Sequence, residues 1–279
     1  MLSKKTYSLI VLSGLLLTAF LSFVFVSAKN EKANNDVVKI DVKAAVEQNS
    51  NLKNNLKWTF GSKTQTGWDL YVPLIQHLIK TESAPESEDF ALAIAKYQQK
   101  SNLATNGILD ETTLIKMVGF WQSQRLNRSD YSSENELLTA PIADFYDPTR
   151  DIELLKVKRE AYDAYKRMIA AAMKDKSLKL KGDEKFLMII SAFRSREYQE
   201  KLRQKSPNST RTTLAQNSPH FTGCALDIYV GGEPVSTKDE NRAIQVETPV
   251  YKWLVKNAEK FGFYPYYYEP WHWEYAPKK

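Results

Sequence analysis

The chain holds three histidines, and two of them stand among residues that could share a metal ion with them. His220 lies in Ser218-Pro-His220-Phe-Thr-Gly223-Cys-Ala225-Leu-Asp227, and His272 lies in Glu269-Pro-Trp-His272-Trp. Imidazole and carboxylate are common zinc ligands, and three protein ligands with one open position make the catalytic form of such a site. His220, Asp227 and His272 would supply two neutral nitrogens and one negative charge. That set leaves Zn2+ cationic enough to acidify a water at the open position. Glu269 is placed to reach that water without being a ligand, which is what a general base needs.

Local elements must bring these groups together. Residues 225–230 read as a strand, with Asp227 on the same face as Ala225 and Tyr229 and opposite Leu226 and Ile228. His220 lies upstream in a loop, and Gly223 permits the turn that carries it back over the strand. Glu269 precedes Pro270, which favours an extended backbone. It sits just ahead of a last strand at 271–275. The apolar run 186–193 suggests a buried strand. A helix is expected from Asp151 through Met173, with acids near its start and lysines near its end to suit the dipole. A second is expected over 250–261, with Gly262 as its C-cap. Strands mixed with helices, without regular alternation, predict an α+β fold with a small antiparallel sheet flanked by helices.

The pattern S-x-H-x-x-G-x-A-x-D followed by E-P-W-H resembles that of the VanY-type D-alanyl-D-alanine carboxypeptidases. Ser218, His220, Gly223, Ala225 and Asp227 fill its first part, and Glu269, Pro270, Trp271 and His272 its second. A further element, S-x-x-R-S with a later Gln, is filled by Ser191, Arg194, Ser195 and Gln199. The likeness covers about residues 150–277. It implies His220, Asp227 and His272 as zinc ligands and Glu269 as the base. It implies Arg194 as the group that stabilises the oxyanion or grips substrate, and Gln199 and Ser218 as pocket residues. Cys224 and Pro219 depart from the usual pattern, and neither is at a ligand position. Cys224 reads as a small buried hydrophobe. His77, on an N-terminal helix, has no partner motif. The aromatic run Tyr264 to Tyr268, with Trp271 and Trp273, reads mostly as core.

The other half of the chain speaks to location. Lys4 and Lys5 precede an apolar run over residues 7–26, which ends at Val26-Ser27-Ala28. This reads as a cleaved secretory signal or an uncleaved membrane anchor, and either would export the rest. Cys224 is the one cysteine, so an exported chain has no internal disulfide. The net charge of +6 is mild and scattered, without a basic stripe interleaved with aromatics, so nucleic acid is not an expected partner. Residues 29–66 are rich in Asn and Lys and read as a tether with at most a short helix. Residues 67–120 carry three helical patterns. "FALAIAKYQQKSNLATNGILDETTL" resembles the three-helix peptidoglycan-binding repeat, through Tyr97-Gln98, Leu103, Asn106-Gly107 and Thr112-Thr113. Residues 121–149 read as a linker or a loop packed on the next domain, and 150–279 as the catalytic domain.

The expected protein is therefore a monomeric zinc carboxypeptidase of the cell envelope or periplasm. It would release the C-terminal D-alanine of peptidoglycan stem peptides while its helical domain holds the glycan. The same metal site would serve an L,D-carboxypeptidase or a cross-link endopeptidase. The loops between Gln199 and Ser218, and between Gly231 and Thr248, decide among these. A wall-binding protein with zinc and no turnover is the other class, and Glu269 argues against it.

Overall fold

The N-terminal helices begin where local chemistry favours a start. The Ser87 hydroxyl accepts from the Phe90 amide to open helix α3 at Glu88–Lys100, with Glu88 and Asp89 in its first turn. The Asp110 carboxylate accepts from the Thr113 amide to open α4 at Glu111–Ser123. Two further helices precede these, α1 at Val42–Asn55 and α2 at Val72–Ile79, separated by a hairpin of β1 (Lys57–Phe60) and β2 (Lys63–Thr66). This computed structural model describes residues 39–61, 63–126, 131–180, 185–205 and 218–277. The apolar run 7–26, the first part of the expected tether and most of the loop between Gln199 and Ser218 lie outside the described residues. Among the described residues no helix is long and apolar enough to cross a membrane.

The expected tether differs from what forms at its C-terminal end. Residues 42–66 fold as α1 and the hairpin because a few side chains among the polar ones are buried. Asn49 of α1 is fully buried; its amide donates to the Gly107 carbonyl at 2.9 Å and accepts from the Leu109 amide at 2.7 Å. Trp58 of β1 is buried with its indole N–H on the Gly67 carbonyl. The three helices expected over 67–120 are present as α2, α3 and α4, and Gln98 explains their connecting sequence. Its oxygen accepts from the Asn106 and Gly107 amides, and its nitrogen donates to Asn106 Oδ1, the Ile108 carbonyl and Thr113 Oγ1. One buried amide thus closes the turn between α3 and α4.

The C-terminal half is α+β, as expected. Its strands and helices are β3 (Leu137–Thr139), β4 (Lys156–Lys158), α5 (Arg159–Lys174), β5 (Ile189–Ser191), α6 (Arg196–Lys205), β6 (Ala225–Ile228), α7 (Asp239–Glu247), α8 (Pro249–Asn257), β7 (Phe263–Pro265) and β8 (His272–Tyr275). A four-stranded antiparallel sheet runs β5-β6-β8-β7, so β6 and β8 are its inner strands. The helix expected from Asp151 starts at Arg159 instead. Residues 152–155 form a 3-10 turn, and Lys-Val-Lys of β4 pairs with β3 with Val157 buried. The helix expected over 250–261 is α8 followed by a 3-10 turn, closed at Gly262 with φ 84°. Trp273, Leu226, Ile228, Phe263, Leu254 and Met168 meet in the core.

The helical half shares that core. Trp121 stacks on Tyr267 at 5.9 Å, and Phe60 and Tyr71 pack on the same ring at 4.9 and 5.6 Å. Tyr264, Tyr266, Tyr267, Tyr268, Trp271 and Trp273 are all buried. The stretch 121–149, expected as a linker or a packed loop, packs on this core: Trp121 and Phe145 are buried, and Phe145 bridges the outer edge of β5.

Candidate metal centre

Strand pairing assembles the centre. In the sheet, Asp227 on β6 lies opposite His272 on β8 and opposite Ser191 on β5. Three neighbouring strands thus present Ser191, Asp227 and His272 in one row. His220 comes from the 3-10 turn Pro219–Thr222, which the Ser218 hydroxyl caps and Gly223 ends with φ 64°. A Cβ on Gly223 would lie 2.8 Å from Leu137 Cδ2 and 3.1 Å from the Lys158 nitrogen. The glycine is therefore required by both its conformation and its neighbours. Glu269 opens a turn over Pro270: its carbonyl accepts from the His272 amide at 2.9 Å.

The ligand atoms of His220, Asp227 and His272 lie within 4.8 Å of one another, and all three residues are buried. His220 Nε2 is 3.3 Å and His272 Nδ1 is 2.9 Å from the same oxygen, Asp227 Oδ1. The remaining ring nitrogens fix the orientations. His220 Nδ1 is 2.6 Å from the Ala192 carbonyl, which can only accept, so that nitrogen carries the proton and Nε2 offers its lone pair. His272 Nε2 is 3.1 Å from Glu274 Oε1, so a neutral His272 that donates there offers Nδ1. Two lone pairs and one carboxylate oxygen then converge, with carbonyl and carboxylate behind them as is usual for zinc histidines. The donor set fits a divalent metal.

Charge at the centre is closely matched. The Arg194 guanidinium donates to Asp227 Oδ2 at 2.6 Å and to Ser191 Oγ at 3.0 Å. Burial works to raise the Asp227 pKa, but His220, His272 and Arg194 hold it well below the usual carboxylate range. Burial and the Arg194 charge push His220 down to about 4, so this ring is neutral. Burial also opposes charge on His272, yet its bonds to Asp227 and Glu274 outweigh this and raise it to about 9. Burial lifts Glu269 to about 7, against the attraction of His272.

The predicted site residues therefore divide. His220, Asp227, His272 and Arg194 are joined directly, and Glu269 is buried within the field of His272, Asp227, Arg125 and Arg194. Gln199 is buried on the first turns of α6, and Ser218 is buried as the cap of the His220 turn. Cys224 is partly buried, and burial pushes its thiol up to about 11. Two residues of the centre were missed, Glu274 and Arg125. Parity gave a signal for the first, since Glu274 follows His272 by two on the same strand face. Arg125 has none, being far away in sequence.

The comparisons bear on the segment that holds this centre. Residues 154–278 match the family model of VanY, D-alanyl-D-alanine carboxypeptidase. No curated protein matches the chain. One similar solved structure is a point variant of the vancomycin resistance D,D-pentapeptidase VanY from a VanB-type resistance cassette, in complex with Zn(II). It is 23% identical, covering 43% of this chain and 72% of that one, with a TM-score of 0.27. The family match thus covers somewhat under half of the chain, the part that holds the metal centre.

Proposed function

We propose that this chain is an exported zinc peptidase that removes the C-terminal D-alanine from peptidoglycan stem peptides. The observation that carries the reading is the buried His220–Asp227–His272 donor set with Glu269 beside it, inside the VanY segment. His220 Nε2, Asp227 Oδ1 and His272 Nδ1 would hold Zn2+, which when bound supplies a Lewis acid for the scissile carbonyl and for the attacking water. Glu269 takes the proton of that water and passes it to the leaving amine. A pKa of about 7 suits both transfers at neutral pH. Arg194 is held by Asp227 and Ser191, which supports its role as the group that stabilises negative charge on the substrate oxygen. Gln199 and Ser218 are assigned to the pocket wall.

The helical half would keep the enzyme on its polymer, raising the local concentration of stem peptides. An N-terminal signal or anchor would place the chain in the cell envelope, as a monomer. The test is D-alanine release from a stem pentapeptide by the full chain, with and without chelator, beside Glu269→Gln. Release should need metal and should fall by roughly 100-fold to 10,000-fold in the variant. Undiminished release by Glu269→Gln would refute the mechanism. Mass spectrometry of digested muropeptides reads which bond is cut. Retention of Glu269→Gln on purified sacculi reads wall binding.

A further inference from the structure

Glu274 is 1% exposed, and its carboxylate is fully engaged. A buried anion is costly unless it is paired and hydrogen-bonded. One side of it faces the ring nitrogen of His272 that points away from Asp227. The same oxygen, Oε1, is also met by Arg125, just past the end of α4 in the helical half. Arg125 Nε donates to Glu274 Oε1 at 2.9 Å, and a terminal guanidinium nitrogen bonds the same oxygen. The Leu126 amide donates to Oε2 at 2.7 Å. The guanidinium also lies over the Tyr266 ring, 3.9 Å from its centre, and that ring is edge-on to His272 at 6.0 Å.

We propose that Arg125 and Glu274 are positioning residues for the metal. The end of α4 holds Glu274, Glu274 accepts a hydrogen bond from the Nε2–H of His272, and His272 is thereby fixed with Nδ1 toward the metal position. Arg125 lies outside the VanY segment of 154–278, so the helical half completes the metal centre as well as sharing its core. A ligand's outer partner of this kind commonly changes metal affinity by roughly 10-fold to 100-fold when removed.

The inference rests on His220, Asp227 and His272 being the metal site, and its test separates the two. Zinc affinity of the full chain is measured by chelator competition across pH, without substrate, for wild type, Arg125→Met, Glu274→Gln and the double variant, and compared at the alkaline limit where no proton competes for His272. Apo-protein melting checks that each is folded, and the visible spectrum of the cobalt-loaded protein reports ligand geometry. Each single variant should bind zinc roughly 10-fold to 100-fold more weakly, with an altered cobalt spectrum. The double variant should be no weaker than Glu274→Gln alone, because Arg125 acts through Glu274. A folded Arg125→Met with wild-type zinc affinity would overturn the inference, and so would fully additive losses. If Arg125→Met does not fold, Arg125→Lys is read in its place. An affinity between wild type and Glu274→Gln then supports the inference, and one equal to wild type overturns it. Wild type that binds no zinc would overturn both this and the metal site.

Discussion

Zinc should displace a proton from this centre, and the amount follows from the two perturbed groups. His272 titrates at about 9 in the metal-free protein, because it bridges Asp227 and Glu274. At pH 7 its ring is therefore charged, and Nδ1 has no lone pair to give. Removing that proton two pH units below its pKa costs about 2.7 kcal/mol, which is taken from the zinc affinity. Glu269, at about 7, is half protonated there, and a nearby dication drives it to the anion. His220, at about 4, has no proton to release. Calorimetric titration of zinc into the apo-protein, in buffers of different ionisation enthalpy, counts the protons. The expected release is about one to one and a half at pH 7 and still about one at pH 8. The sign is set by His272: its raised pKa keeps the proton on the apo-protein, so affinity climbs about tenfold per pH unit up to about pH 9. Two ordinary histidines near 6.5 would behave differently, with little release at pH 8 and a flat affinity above it. Release near zero at pH 8 would refute the assignment of His272 as a charged bridge.

Other outcomes are equally specific. Gln98→Ala strands the part-buried amide of Asn106 and the buried amide of Gly107, and should destabilise the chain by roughly 2 to 4 kcal/mol in thermal or denaturant unfolding. An unchanged midpoint would dismiss the clamp. Gly223→Ala puts a methyl against Leu137 and Lys158 at φ 64°, and should cost roughly 1 to 3 kcal/mol while also weakening zinc binding, since His220 rides on that turn. Asp227→Asn should abolish measurable zinc binding, because it removes the one ligand charge and leaves Arg194 unpaired.

The centre was legible in the sequence because its chemistry is rare. Few histidines, an aspartate at strand parity and a glutamate before Pro-Trp-His leave little freedom, and the strands that carry them are short and apolar. The parts that escaped are those decided by packing. Residues 42–66 look like a tether because Asn and Lys dominate, but folding turns on Asn49 and Trp58. Residues 156–158 look like the start of a helix, yet the chain pairs them with β3 and ties the Lys158 amide to the Gly223 carbonyl at 2.9 Å. The apolar run at 186–193 gives only a short strand, because Leu187 has φ 70° and the pairing with β6 shifts register between Ile189 and Ser191. β7 is three residues ending in Pro265, too little for alternation to show.

Charge balance ties the outlying residues to the chemistry. Metal-free at neutral pH, the centre holds cations at Arg125, Arg194 and His272 against anions at Asp227 and Glu274, with Glu269 half ionised. Exchanging the His272 proton for a dication adds one positive charge to a buried site. Full ionisation of Glu269 recovers part of that charge. In the proposed mechanism, metal entry and the readiness of the base are one electrostatic event: the ion that would need Glu269 as a partner would also pull its pKa below neutrality. Glu274 cannot take that part, because Arg125 and the Leu126 amide already hold it as an anion at either occupancy. The helical half therefore keeps Glu274 committed to His272 and leaves Glu269 as the carboxyl free to change its proton, which is the division of labour a hydrolytic centre needs.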